Sequence, residues 1–335
     1  MISLTELSAK IKGEKNVALI CHIRPDGDSL GAALALKLAL QYLGIKAEVF
    51  CEDTVPPRFL FLKEMATVKT SLDGDYGAII AIDCADISRL GCFAEKFLAH
   101  KNTYSIDHHV SNGRFAKINF IVETSSNCEN ILDLVEEMGV PIGLDMANLL
   151  ALGVVTDTGN FRHKNVTPKT LYSAAKLVEK GADLNTIYFN MFQAQTKARA
   201  KLFGRTMEKI RYFFDGRLAL ATVRLEDLSA CYAEQSETEG FIDFVMGVIG
   251  VEVGACVMET QKNKFKVSFR SKGADVNAVA GTFGGGGHTL ASGCQLQGEY
   301  EEVVDKLCYS RRSEANRHFL YSYFQRLSVQ YPYYS

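Results

Sequence analysis

The chain has no charge excess of either sign. Its 37 lysines and arginines are balanced by 39 aspartates and glutamates, a formal net charge of −2 over 335 residues. A large duplex-DNA footprint needs a strongly basic face, so no duplex DNA is expected, whereas a small anionic substrate in a local pocket stays open. Long apolar runs are missing too. The longest, around Ala32–Leu43, is broken by Lys37 and Gln41 and falls short of the ~18–20 residues of a membrane span, so no membrane contact is expected. The opening MISLTELSAKIKGEK has no apolar signal core and no cleavage site, which argues against export. Nine cysteines are present, yet no two form a C-x-x-C pair, and an odd, scattered set suggests no disulfide framework. Several sit in apolar runs (ALICH, AEVFC, IIAIDC), where cysteine acts as a small hydrophobe. Reduced core thiols in a cytoplasmic protein are the expectation.

What is present is an ordinary globular composition, 47% hydrophobic and 23% charged, on a chain long enough for two domains. Val17–Cys21, Ala47–Cys51, Ala78–Asp83 and Thr103–Asp107 read as strands; 29–43, 131–138 and 145–155 read as helices. This alternation predicts an α/β fold, a mainly parallel sheet with helices on both faces. From Pro168 to about Ile210 the pattern is helical, with Gly181 as a stop. After Phe213, strands at Arg217–Val223, Gly254–Glu259 and Phe265–Arg270, with a helix at 239–247, predict a smaller α+β domain. The expected division is 1–186, a helical linker at 187–212, a second domain at 213–318 and an aromatic tail at 319–335.

Polar clusters follow the strand runs of the first domain, where ligands of such sheets gather. His22-Ile-Arg-Pro-Asp26-Gly-Asp28-Ser29 follows VALIC; Asp83 ends AIIAID; Asp107-His108-His109 ends TYSID; Asp157 lies in GVVTDTGNF. A single strand-end aspartate is ordinarily a cap or turn residue. Asp26, Asp28, Asp83 and Asp157 at one sheet edge would repel one another unless cations sat among them. Four such charges balance two divalent ions, and neutral imidazoles complete the shells. Oxygen and nitrogen ligands without thiolate point to manganese, with magnesium, iron, cobalt or zinc as substitutes. His163 is a candidate neighbour of this site, and His100 and His318 read as surface residues.

These motifs resemble, in order, those of the DHH phosphoesterases. The resemblance implies that His22, Asp26 and Asp83 bind one metal, and that Asp28, Asp83, His108 and Asp157 bind the other, with Asp83 shared. It implies that His109 faces the substrate phosphate and that Asp107 orients ligand imidazoles. One departure stands out: where the family often has Ser-Ser-Thr-Ala-Glu, this chain has Ser125-Ser126-Asn127-Cys128-Glu129. Asparagine keeps a hydrogen-bonding group there, and the segment's role toward substrate is left open.

A second cluster reads Ser268-Phe-Arg270-Ser271-Lys272, then Asp275-Val-Asn277, then four glycines including Gly285, Gly286 and Gly287, ending in His288 and followed by Ala291-Ser292-Gly293. Consecutive glycines permit close backbone approach and converging N–H groups, and Arg270 and His288 are natural phosphate donors. The cluster resembles the DHH-associated domain, in which such a glycine motif recognises the nucleotide end of the substrate. The two resemblances imply a compact phosphoesterase acting on short oligoribonucleotides from the 3′ end and on adenosine 3′,5′-bisphosphate. A soluble phosphodiesterase for cyclic dinucleotides or for pApA and pGpG is the alternative, and a nucleotide-binding regulator without catalysis is a third reading. A homodimer is left open.

Overall fold

The computed structural model describes residues 2–308. The aromatic tail and His318 lie outside the described residues. Two compact units are present, the first ending at Ala194 and the second beginning at Gln195.

In the first unit the elements run α1 (Leu4–Lys12), β1 (Asn16–Cys21), α2 (Gly27–Tyr42), β2 (Lys46–Phe50), β3 (Ala78–Ile82), α3 (Ala94–Ala99), β4 (Thr103–Asp107), β5 (Ile118–Ile121), α4 (Asn127–Glu137), α5 (Leu144–Asp157), α6 (Pro168–Glu179) and α7 (Leu184–Tyr188). The five strands form one sheet in the order β2-β1-β3-β4-β5, and every pairing is parallel. Alternation along the strands feeds two cores. Val17, Leu19 and Cys21 of β1 join Ala78, Ile80 and Ile82 of β3 under the long helices, while Ala18, Ile20, Ile79 and Ala81 pack with Phe93 and Phe97 on the other face. Helices therefore cover both faces, as the β-then-α alternation predicted. β1 and β3 are neighbours although β2 lies between them in sequence, so chain connections leave this point in opposite directions and open a crevice at the carboxyl ends. His22 and Asp83 follow the two strands that flank it.

Helices α2 and α5 are apolar around most of their circumference and pack on each other at close range. A Cβ on Gly31 would lie 2.3 Å from the Leu149 carbonyl oxygen, so only glycine allows this approach. Farther on, α6 begins with Thr167 capping the Thr170 N–H and ends before Gly181, whose φ is +95°. The stretch expected as a helical linker is helical on both sides of the division at Ala194: a π-helical turn at Phe189–Gln193 precedes it, and α8 (Lys197–Glu208) follows.

The second unit continues with β6 (Arg211–Phe213), β7 (Leu218–Val223), α9 (Leu225–Cys231), α10 (Phe241–Gly247), β8 (Val253–Gln261), β9 (Lys264–Ser271), α11 (Val276–Gly281), β10 (Gly286–His288), β11 (Ala291–Gln297) and α12 (Tyr300–Cys308). Its six-stranded sheet has the order β10-β11-β9-β8-β7-β6 and is mixed, parallel at β7–β8 and antiparallel elsewhere. Phe265, Val267 and Phe269 face a core shared with Val276, Val279, Val303 and Leu307 of α11 and α12. All nine cysteines are free thiols, and only Cys92 is exposed. Among the described residues no helix is long and apolar enough to cross a membrane.

Candidate active site

The carboxyl edge of the first sheet gathers His22, Asp26, Asp28, Asp83, Asp107, His108, His109 and Asp157, each predicted from sequence. Asp26 caps α2: its Oδ1 accepts from the N–H groups of Asp28 and Ser29 at 3.1 and 3.0 Å, and its Oδ2 lies 3.3 Å from His22 Nε2. Asp83 ends its strand in a left-handed conformation, φ 59°, which costs a non-glycine residue energy and turns the carboxylate into the cavity. Its Oδ2 is 3.6 Å from His22 Nε2 and its Oδ1 is 3.4 Å from His108 Nε2, so its two oxygens address two neighbouring groups. His108 Nε2 is also 3.4 Å from Asp157 and 3.8 Å from Asp28. Potential ligand atoms of His22, Asp26 and Asp83 lie within 4.8 Å of one another, as do those of Asp28, His108 and Asp157.

Asp28 is fully buried and is held from behind by the N-terminus of α4. Ser126 Oγ and the Cys128 N–H donate to its Oδ1 at 2.7 and 2.9 Å, and the Asn127 N–H donates to its Oδ2 at 2.6 Å. This is a role for the Ser126-Asn127-Cys128 segment, whose backbone does most of the holding, so asparagine at 127 leaves it intact. The Asn127 side chain bonds the Ile106 carbonyl at 3.0 Å instead. Gly153 of α5 completes the packing: a Cβ there would lie 2.3 Å from Cys128 Sγ and 2.6 Å from Asp28 Oδ1.

The two inward imidazoles are oriented by backbone. His22 Nδ1 is 2.8 Å from the Ile23 carbonyl and His108 Nδ1 is 2.9 Å from the Thr124 carbonyl, leaving each Nε2 for a ligand. Asp107 touches neither ring. It accepts from His109 Nδ1 at 2.7 Å, from the His108 N–H at 2.9 Å and from Asn112 Nδ2 at 2.6 Å. The resemblance assigned Asp107 to the ligand imidazoles; in the structure the ring it orients is that of His109. A carboxylate reaches only what its strand-end position faces, and the sequence step from 107 to 109 returns the chain over Asp107.

The electrostatics follow from this crowding. Burial opposes a charge on His22, but Asp26 and Asp83 outweigh it and push the ring up to about 10. His108 is likewise pushed up to about 10, burial being outweighed by Asp83 and Asp28. Burial, followed by Asp28 and Asp83, raises Asp157 to about 9; burial and Asp83 raise Asp28 to about 6. Asp83, although buried, is held well below the carboxylate range by His108 and His22. His109 is raised by its bond to Asp107. Without cations the cluster retains protons to offset its carboxylates. Its donor set fits divalent cations, and buried Asp83 Oδ1 accepts no hydrogen bond, an oxygen short of a partner.

Arg89 was not foreseen. With His22, Asp26, Asp83, Ala85, His108, His109 and Asp157 it lines a cavity of about 90 Å³, and its Nη2 lies 2.8 Å from His22 Nδ1. It sits in the 3-10 segment Ile87–Phe93, which has no helical or strand periodicity; the available signal was its position in the loop leaving β3. His163 stands beside the site, its Nδ1 3.1 Å from the Asp157 carbonyl. His100 instead ties a loop together through the Tyr76 and Asn102 carbonyls. A larger pocket, about 540 Å³, lies at the amino ends of β1 and β2, remote from the clustered carboxylates.

In the second unit, register aligns the predicted clamp. His288 pairs with Ala291 and Ala291 with Arg270, so the three form one cross-strand row with small alanine in the middle. Gly286, Gly293 and Ser268 form the next row. The glycine run is partly an edge strand. A Cβ on Gly285 would lie 2.2 Å from the Gly293 carbonyl oxygen, and Gly287 has φ +150° with Ala291 O 2.6 Å from a would-be Cβ. β10 is the terminal strand of the sheet among the described residues.

Comparison with known proteins agrees with both halves. Residues 16–154 match the DHH family N-terminal domain, and residues 225–310 match the DHHA1 domain. A Thermus thermophilus protein named bifunctional oligoribonuclease and PAP phosphatase NrnA is 29% identical over 311 residues, 91% of each chain. A Bacillus subtilis protein of the same name is 25% identical, over 87% of this chain and 93% of that one. An exopolyphosphatase-related protein from Bacteroides fragilis shares the fold, with a TM-score of 0.78 over 97% of both chains at 22% identity. Carboxylates and imidazoles at the β1/β3 crevice, an Arg270–His288 row on a second sheet, and these two domain matches lead to one conclusion: the chain is a phosphoesterase that carries a DHH domain followed by a DHHA1 domain.

Proposed function

We propose that the protein hydrolyses short oligoribonucleotides from the 3′ end and removes the 3′-phosphate of adenosine 3′,5′-bisphosphate. The end-to-end match to relatives named for both activities carries this choice of substrate. Two divalent cations, manganese by the oxygen–nitrogen donor set, would be held by His22, Asp26 and Asp83 and by Asp28, Asp83, His108 and Asp157, and would supply a deprotonated water and offset phosphoryl charge.

The chain's own groups then position the substrate. Asp107, by its bond to Nδ1, raises the proton affinity of His109, which in its protonated form donates a hydrogen bond to a phosphoryl oxygen whose charge grows in the transition state. With His22 Nε2 acting as a ligand, its ring proton sits on Nδ1 and donates to the Ile23 carbonyl. Arg89 then has no acceptor on that ring, and its guanidinium is available to a second phosphate oxygen. Arg270 and His288 bind a phosphate of the nucleotide, with the terminal strand β10 beside them.

The test is a substrate panel with manganese: di-, tri- and pentaribonucleotides, the bisphosphate, cyclic di-AMP and pApA. Cleavage of the oligoribonucleotides and the bisphosphate is expected. If all of these stay intact the reading fails, and turnover of cyclic di-AMP with the bisphosphate untouched replaces it by a cyclic-dinucleotide phosphodiesterase.

A further inference from the structure

The exposed side of β9 extends beyond Arg270. Its burial alternates strictly: Phe265, Val267, Phe269 and Ser271 face the core, while Lys264, Lys266, Ser268 and Arg270 face outward. Register sets their neighbours on the same side. Gln297, Gln295, Gly293 and Ala291 of β11 lie on one flank, and Gln261, Met258, Cys256 and Gly254 of β8 on the other. None of these strand residues carries a carboxylate. Among the described residues Lys264, Lys266, Arg270 and His288 make no ion pair, whereas Lys209 and Arg205 of the same unit share Asp227.

The row of Ser268 is the last that β10 covers, since its pairing begins at Gly286. Beyond it the lysine rows are open toward β11, where Gln295 and Gln297 are exposed, whereas on the β8 side Met258 packs under the helices and only Gln261 is exposed. Steps of two residues along a strand are about 7 Å, so Lys266 lies ~14 Å and Lys264 ~20 Å along β9 from Arg270. A mononucleotide held at Arg270 and His288 does not extend that far, whereas a strand of several nucleotides does. Cations spaced along one line, without ion pairs among the described residues and flanked on one side by amide donors and acceptors, complement a single-stranded phosphate backbone and its 2′-hydroxyls.

We propose that Lys266 and Lys264, flanked by Gln295 and Gln297, form a track for the phosphates of a short oligoribonucleotide, engaging nucleotides beyond the one held at Arg270 and His288. The proposal rests on the oligoribonucleotide reading above, and it gives a sequence-independent reason for the enzyme to distinguish oligomers from the bisphosphate.

The full chain and its K264Q/K266Q variant are compared by fluorescence anisotropy with a labelled pentaribonucleotide, in EDTA so that no turnover occurs. Each phosphate of a single strand that is no longer neutralised by a lysine flattens the plot of log affinity against log salt by ~0.7, so the variant's slope should be shallower by about 1.4. Native binding should exceed the variant's at 0.1 M salt, and that ratio should shrink about 25-fold by 1 M. K264R/K266R should restore the native slope. Hydrolysis of the bisphosphate, which does not reach these rows, should be unchanged. Equal slopes for native and variant would overturn the track. So would a fall in bisphosphate turnover matching the weakening of pentamer binding, because that marks damage to the sheet. If the native chain cleaves neither substrate, the functional reading is lost, yet the anisotropy still decides whether the track exists.

Discussion

The two candidate ligand surfaces are built on opposite electrostatic plans. At the carboxyl edge of the first sheet, Asp28, Asp83 and Asp107 are buried with His22, and each carboxylate is anchored by helix N-termini, imidazoles or amides. On the second sheet, Arg270, Lys264, Lys266 and His288 face outward from their strands and make no ion pair among the described residues. Buried negative charge needs a resident cation, so the first surface is preorganised and tolerates little change. Exposed positive charge awaits an anion that comes and goes, so the second can be altered residue by residue, with losses in affinity more than in rate. On the proposed function, chemistry and selection are separated between two sheets.

The sharpest break of this comparison is Asp83→Ala. It removes the one carboxylate whose oxygens face both histidine groups, so hydrolysis should fall by ~10³ or more, the scale of losing a preorganised charged group, while circular dichroism stays native. Surviving activity would mean that Asp83 is not shared. Arg270→Ala should act differently. Losing one charge-assisted bond, worth about 1.5–3 kcal/mol, should raise KM ~10- to 150-fold and leave kcat close to native. A fall in kcat with unchanged KM would place Arg270 among the groups that act only in the transition state and blur the division between the sheets.

Gly153→Ala tests the support behind the first surface. Its new methyl must displace Cys128 or Asp28, so overpacking should cost ~1–3 kcal/mol by denaturant melts. Affinity for manganese should weaken ~10-fold, at the low end for loss of a group that orients ligands. Thermal stability lost without any change in metal affinity would show that the α4 N-terminus and Asp28 move together.

Much of this was legible in sequence because the physics is local. Strand-end positions of His22, Asp83 and Asp107 follow from the apolar runs before them, and the parallel order follows from the alternation of elements. The support for Asp28 was not legible, since it joins residues about a hundred positions apart through backbone N–H groups that carry no side-chain signature. Asp107's attachment to His109 was hidden for a related reason: its direction depends on how the chain turns after β4. Strands β10 and β11 were missed because GGH and ASGCQLQ are poor strand formers, and pairing with β9 decides their conformation. The clamp residues were found by motif; their alignment in one row required the register.

The smallest expected effect concerns protons, and it separates the two surfaces without mutation. In metal-free protein His22 and His108 titrate near 10 and Asp157 near 9, all raised above their unfolded values. The folded state therefore holds protons that the unfolded chain has released, and its stability falls as pH rises from about 6 toward 10. Asp83, shifted downward, works in the opposite sense, but only below about pH 4, the unfolded carboxylate range. Divalent cations replace those protons, so their stabilising effect should grow with pH and their binding should release protons. Thermal melts in EDTA and in manganese from pH 6 to 9 should show Tm falling with pH in EDTA and the gap between the two curves widening. Calorimetric titration of manganese in buffers of different ionisation enthalpy should show net proton release at pH 7.5. The Arg270→Ala protein should give the same widening gap, because its altered sheet contributes no proton to the exchange. Parallel melting curves, or a gap that depends on Arg270, would mean that protons and cations do not compete for the carboxylates at the β1/β3 crevice.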